Sequence, residues 1–275
     1  MVIKANLKLN FIGGGKMAEA IINGVLTKKL VKTDNILVSE PLKIRRDYLK
    51  KKFGIHTTAE NIKTIKSADF LILCIKPQDL PVLSKELKNK IDSKLILLSI
   101  LAGIKIESLI THLGHKKIIR AMPNTPAQIG QGMTAWTQSK DINDNELKLT
   151  KTILKTLGEE IHFTNQKQID IATSISGSGP AYIFYIIEAL INSGVYLGLT
   201  KEVSQKLVLQ TIEGSISLIK KDNTPLPILT DMVTSPGGTT AEALMLLEHE
   251  GLKSIIATAV VAAYEKSKEL SKSSS

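Results

Sequence analysis

The sequence predicts an α/β chain in two parts, a doubly wound parallel sheet over residues 1–164 and an all-helical domain over residues 165–275. Three observations predict it. Short, continuously apolar runs alternate with helical patterns in the first part, the mark of parallel strands covered on both faces. Such runs cease after about Thr164, and long helical patterns replace them. A glycine-rich turn, Gly13-Gly14-Gly15, joins the first apolar run to the first helical pattern.

Taken in order, the strands are expected at Leu7–Ile12, Ile36–Ser39, Phe70–Ile75, Leu95–Leu101 and Ile118–Met122, with weaker ones at Met133–Trp136 and Glu160–Phe163. Between the first two, Met17, Ile21 and Val25 fall on one face of a 3.6-residue period. Later helices are expected at Pro180–Leu197, whose proline suits a first helical turn, and at Lys201–Lys220. A loop with Pro225 and Pro227 then leads to Thr239–Glu250 and Leu252–Leu270, and the polar tail "SKSSS" is expected to fray. The stretches "PAYIFYIIEALI" and "SIIATAVVAAY" are apolar on nearly every face. A small helical domain cannot bury all of that alone, so a subunit interface is expected.

The bulk numbers narrow the function classes. The 275 residues are 43% hydrophobic and 23% charged, an ordinary globular balance. The apolar runs fall short of the roughly 18 residues a membrane span needs, and the start "MVIKANLKLNFIGGG" shows no cleavage site. The single cysteine, Cys74, allows no internal disulfide and suits a reducing, cytoplasmic setting. The net charge is +10, but of the 36 basic residues only Arg45, Arg46 and Arg120 are arginines, and aromatics are 4%. That is a poor nucleic-acid footprint; an anionic small ligand explains the charge better.

The turn at Gly13 carries the first chemistry. Gly13, Gly15 and Ala18 occupy the three places of G-x-G-x-x-G/A between strand and helix. The first glycine permits the tight turn and the second lets the backbone meet a pyrophosphate. The small third residue lets helix and strand pack closely. This is the dinucleotide fingerprint of a Rossmann-type sheet. Glu40, 25 residues beyond Gly15, falls near the acid that binds a ribose 2′-hydroxyl. Lys43, Arg45 and Arg46 follow and could offset its repulsion of a 2′-phosphate, so NADPH and NADH both stay open.

A second glycine turn, "MVTSPGGTTAEAL", opens a helix at residues 232–244. Spacing alone supports two readings equally, a stiff N-capping turn or an anion site.

Four stretches, "FIGGGKMAEAI", "LILCIKPQ", "SISGSGPAYIF" and "MVTSPGGTTAEALMLLE", together resemble pyrroline-5-carboxylate reductase, and "AMPNTPAQIGQGMTAW" adds a fifth match in order. The resemblance covers nearly the whole chain. It implies a Rossmann domain, a C-terminal helical dimerisation domain and a ring of dimers. It also implies hydride transfer from NADPH, with NADH a second option, to 1-pyrroline-5-carboxylate, giving L-proline. On that resemblance Ile12, Gly13, Gly14, Gly15, Lys16 and Met17 hold the pyrophosphate, with Ser39, Glu40 and Asn61 near the adenosine. Cys74, Ile75, Lys76, Pro77, Ile100, Leu101 and Ala102 border the cofactor. The amides of Gly237, Gly238 and Thr239 grip the substrate carboxylate with help from Ser235, and the Thr240 hydroxyl meets the imine nitrogen. Ser178 and Gly179, before Pro180, are expected at another helix start near the ring. Three positions depart from the family pattern: Glu40 stands where a small hydroxyl residue occurs, Gln166 replaces a glutamate, and Asp222-Asn223 sit where an acid precedes the loop.

Other candidates are weaker. His112 and His115 read as surface residues, since Gly114 breaks the helix that would align them on a metal. Cys74 reads as a packed thiol. A β-hydroxyacid dehydrogenase would need a lysine on the helix after "SGSGP", yet the next lysine is Lys201. A cofactor sensor without catalysis would have no use for a second anion loop.

Overall fold

The computed structural model describes residues 7–66 and 68–273. Its contacts divide the chain into two compact units, one of residues up to Ser178 with Ala263 onward, the other Gly179–Ala262.

The first unit is built on eight strands among the described residues: β1 (Leu9–Ile12), β2 (Ile36–Ser39), β3 (His56–Thr58), β4 (Phe70–Leu73), β5 (Ile96–Ser99), β6 (Ile118–Pro123), β7 (Gly132–Gln138) and β8 (Gly158–His162). They lie in the order β3-β2-β1-β4-β5-β6-β7-β8. β1 pairs in parallel with β2 (Leu9 opposite Ile36) and with β4 (Leu9 opposite Phe70). The order reverses there, which opens a crevice at the carboxyl ends of β1 and β4. Among the described residues β6 and β7 form the one antiparallel pair, and β8 runs parallel to β7, so both oppose the other six strands.

The helices are α1 (Lys16–Thr27), α2 (Lys43–Phe53), α3 (Asn61–Thr64), α4 (Leu80–Leu87), α5 (Ile106–Leu113), α6 (Asp144–Leu154) and α7 (Lys167–Ala172). Strand alternation sorts the core into two layers. Phe11, Phe70, Ile72 and Leu98 point toward Ile21, Ile22 and Val25 of α1, Leu49 of α2 and Ile153 of α6. Ile12, Leu71, Leu73 and Leu97 point toward Leu83 and Leu87 of α4 and Leu109 and Leu113 of α5. Burial of each such side chain contributes about 1.5–3 kcal/mol, and a sheet greasy on both faces needs helices on both.

The second unit holds α8 (Gly179–Tyr196), α9 (Lys201–Asp222), α10 (Leu226–Met232), α11 (Thr239–His249) and the first half of α12 (Leu252–Ser273). α8 and α9 approach closely: the Ser204 hydroxyl donates to the Ile191 carbonyl at 2.7 Å, and a Cβ on Gly194 would collide with that hydroxyl. Large apolar side chains remain exposed on every helix of this unit, among them Phe184, Tyr185, Leu207, Met232, Leu246 and Val261. The far end of α12 belongs to the first unit, where Leu270 lies against Gly103.

Several expectations need correction. The segment holding Pro225 and Pro227 is a loop only up to Pro225; α10 follows, with Pro227 in its first turn where no amide hydrogen is needed. The tail does not fray at its start, since Ser271 lies in α12 and is buried; Ser274 and Ser275 lie outside the described residues. β3 was not anticipated. Helical residues 167–196 are long and apolar enough to cross a membrane by length and composition, which the reading of uninterrupted apolar runs had set aside.

Candidate active site

The crevice is lined first by the three glycines. Gly13 adopts φ +94°, and a Cβ there would lie 2.5 Å from the Cys74 carbonyl oxygen. Its N–H donates to Ser39 O and the Cys74 N–H donates to Ile12 O, both at 2.8 Å, so the turn is stitched to β2 and β4. A Cβ on Gly14 would meet Leu49 and Glu40. Gly15 is exposed with nothing within 4 Å of its Cβ position, and it starts α1 with no side-chain cap. The uncapped helix start and the open approach at Gly15 fit a pyrophosphate.

Behind the loop stands a network of polar side chains that the sequence reading missed. Arg45 Nε donates to Gly14 O at 2.5 Å, and Nη2 donates to Gly15 O at 3.3 Å and to the Glu19 carboxylate at 2.5 Å. Glu19 is buried and also accepts from Tyr48 Oη at 2.8 Å and Lys52 Nζ at 2.7 Å. Burial opposes its charge, but the hydrogen bonds from Lys52, Arg45 and Tyr48 and the Arg45 charge prevail, lowering its carboxyl to about 2. Arg46 donates to the carbonyls of Glu40 and Pro41, and Lys43 pairs with Asp47. These cations are thus engaged with the protein itself.

At the end of β2 the Glu40 carboxylate accepts from Gly14 N–H at 2.9 Å and Leu42 N–H at 3.0 Å. The Ser39 hydroxyl donates to Asn61, whose amide donates to Glu86. Lys16 is exposed and Met17 half-buried. Past β4, Cys74, Ile75 and Pro77 are half-buried and Lys76 is exposed; past β5, Ile100 and Ala102 are half-buried. Leu101 and Ile12 are buried, so only their backbone can face a ligand. Desolvation pushes the Cys74 thiol well above its usual range.

The second turn lies in the helical unit. Gly237 has φ +70°, and Gly238 N–H donates to Ser235 O at 3.0 Å. That amide closes the turn, which corrects its expected place among the ligand-facing donors. A Cβ on Gly238 would also sit 2.5 Å from Ser235 Oγ. α11 begins at Thr239 with no side-chain cap, leaving the amides of its first turn, Thr239 and Thr240 among them, without intrahelical partners. Ser235, Gly237 and Thr239 are exposed and Thr240 is half-buried.

Ser178 is not a free helix start. Residues Thr173–Gly177 form a π-helical turn, and Ser178 N–H donates to Thr173 O at 2.8 Å. Gly179 begins α8 with open space around it. Asn124 donates to Ser176 O at 3.0 Å and accepts from Met133 N–H at 2.9 Å, anchoring the π turn. Gln166 accepts from Ile106 N–H and donates to Glu107. Arg120 and Asp170, both buried, form an ion pair at 2.6 Å.

One histidine reading changes, and a second histidine packs on the sheet. His115 is buried, with Nε2 2.8 Å from Leu95 O, and desolvation lowers its pKa. His162 packs its ring on Trp136, 4.3 Å between centroids. Among the described residues no three of His, Cys, Asp or Glu converge on a metal.

A Rossmann sheet with a dinucleotide loop, joined to helices rich in unpartnered apolar surface, defines a nicotinamide-dependent oxidoreductase of the two-domain class. A model for pyrroline-5-carboxylate reductase dimerisation matches residues 166–270, and one for NADP oxidoreductase coenzyme F420-dependent matches residues 8–103. The chain is 39% identical to the pyrroline-5-carboxylate reductase of Synechocystis over 97% of its length and 99% of that protein. It is 35% identical to the Arabidopsis thaliana enzyme, with 98% and 97% covered. The NADP-bound crystal structure of Plasmodium falciparum pyrroline carboxylate reductase superposes with a TM-score of 0.86 at 35% identity, covering 97% of this chain and 98% of that one. The chain belongs to the pyrroline-5-carboxylate reductase family: an NAD(P)H-dependent oxidoreductase that reduces 1-pyrroline-5-carboxylate to proline and forms homo-oligomers.

Proposed function

We propose that the turn Ser235–Thr240 is the substrate site and the loop Ile12–Met17 the pyrophosphate site of this reductase. The observation that carries the first assignment is the uncapped start of α11 directly after Gly237-Gly238. Backbone amides and the helix dipole there suit the carboxylate of a small cyclic imino acid. Thr239 N–H binds it, the Ser235 hydroxyl assists, and the Thr240 hydroxyl hydrogen-bonds the imine nitrogen and fixes the ring's face.

When bound, the reduced nicotinamide would supply the hydride to the carbon of the imine protonated on nitrogen, the C=N π electrons passing to nitrogen to leave the ring amine of proline. Such a transfer asks of the protein chiefly that each reactant be held and oriented, a proximity effect. Gly15 and the start of α1 hold the diphosphate, the backbone at Cys74–Pro77 and Ile100–Ala102 borders the nicotinamide side, and Ser39 and Asn61 border the adenosine. Ser178 and Gly179 stand beside the π turn and shape the site without offering an anion-binding helix end. Residues 165–275 act as the substrate and dimerisation domain, the dimers close into a ring, and the enzyme works in the cytoplasm.

Absorbance of the reduced nicotinamide tests the reading. It is expected to fall when 1-pyrroline-5-carboxylate is added to protein and cofactor. Cofactor binding with no loss of absorbance would instead mark a sensor and overturn the assignment.

A further inference from the structure

We infer that the carboxyl end of β2 makes this chain selective for NADH over NADPH, with Glu40 the residue that sets the choice. The inference rests on the cofactor half of the reading above and is independent of the imine substrate.

In a Rossmann sheet the adenosine ribose lies beyond the end of β2. Here Glu40 immediately follows Ser39, the last residue of that strand. Its backbone N–H donates to Thr58 O at 3.0 Å, and its two carboxylate oxygens accept from Gly14 and Leu42. Position and orientation of the carboxylate are therefore set by three elements. A second carboxylate stands close by, since Glu86 accepts from the Asn61 amide at 2.9 Å and from Ile62 N–H at 3.2 Å.

The arginines of the same region are engaged by the protein, and Lys43 pairs with Asp47 at the surface. Arg45 is held by Gly14 O, Gly15 O and Glu19, Arg46 by the carbonyls of Glu40 and Pro41, and Lys43 by Asp47. A 2′-phosphate brings about two negative charges and requires guanidinium or ammonium donors in place of its water. A 2′-hydroxyl requires an acceptor, which a carboxylate provides. The end of β2 holds a carboxylate, buried and accepting from two backbone amides, while Arg45 and one nitrogen of Arg46 are engaged by the protein itself.

Calorimetric titration of the intact protein with NADH and with NADPH reads this without turnover. Wild type is expected to bind NADH at least about tenfold more tightly than NADPH. Glu40→Gln retains an oxygen for Gly14 N–H but removes the charge, and should narrow the ratio about tenfold. Glu40→Ser also clears space and should bring NADPH level or ahead. Equal or tighter NADPH binding by wild type overturns the inference, as does a ratio left unchanged in both variants. The wild-type ratio decides the question even if neither variant folds. Failure to consume 1-pyrroline-5-carboxylate, with the NADH preference intact, would sink the substrate assignment and support this one.

Discussion

Arg45 donates to Glu19 at 2.5 Å and, with the same guanidinium, to the carbonyl oxygens of Gly14 and Gly15. One side chain of α2 thus fixes the peptide oxygens of the glycine loop. A peptide plane fixed by its oxygen is also fixed at the next N–H, so the loop's donors are oriented in advance.

The pH dependence of Glu19 follows from its lowered carboxyl. Its value of about 2, against an ordinary 4.5, means the folded state prefers the charged form. The stabilisation is fully present above pH 4.5 and is lost as pH falls toward 2. Because Lys52 is nearly half exposed, solvent screens part of it; Glu19→Gln should cost about 2 kcal/mol at pH 7. Urea unfolding at pH 7 and pH 3 should show the variant losing less stability than wild type on acidification.

Two glycines of one loop should respond oppositely to alanine. At Gly13 the left-handed φ and the 2.5 Å approach to Cys74 O should make Gly13→Ala lose about 3 kcal/mol or more, read by thermal unfolding. At Gly15 nothing is in the way, so Gly15→Ala should keep the wild-type Tm. Its methyl would stand where the phosphates approach, and cofactor Kd should rise about tenfold.

Removing one partner of the buried pair Arg120–Asp170 strands the other charge. Arg120→Met should therefore destabilise the first unit by about 3–5 kcal/mol. Asp170→Asn strands the Arg120 charge in the same way, although its amide oxygen still accepts from the guanidinium, and should cost nearly as much. A loss far smaller than that of Arg120→Met in denaturant titrations would count against a charge-based explanation.

For the substrate turn, Thr240→Ala should lower kcat/KM by about 10- to 100-fold while cofactor Kd stays put. Thr240→Ser should recover most of the loss, since the hydroxyl is what matters. An equal fall in cofactor affinity would show that Thr240 serves the other ligand.

How much of this was legible depended on range. The strand at Ile36–Ser39 and the glycine loop are local patterns and stand where the sequence places them, while the strand expected at Phe70–Ile75 starts as expected but ends at Leu73. β3 was invisible because His-Thr-Thr carries no apolar run; it is an edge strand held by pairing with β2. α10 was hidden because its prolines read as breakers, although a first turn tolerates them. The Arg45–Glu19 brace joins residues 26 apart, and no spacing rule announces it. His115 looked exposed beside a glycine, yet the β5 entry closes over it and supplies the Leu95 carbonyl. Gly238 showed its turn in the sequence, but its amide is spent on the Ser235 carbonyl through a bond that only the folded turn creates.

The hydroxyl of Ser204, seated in the notch left by Gly194, acts as a detent between α8 and α9. Slide either rod by a turn and a bulkier neighbour would face the notch, so the hairpin clicks into a single setting. The spacing of the greasy ridges on this pair is thereby ruled off in advance, and a lone Gly194→Leu change should shift them without touching any residue of the ridges themselves.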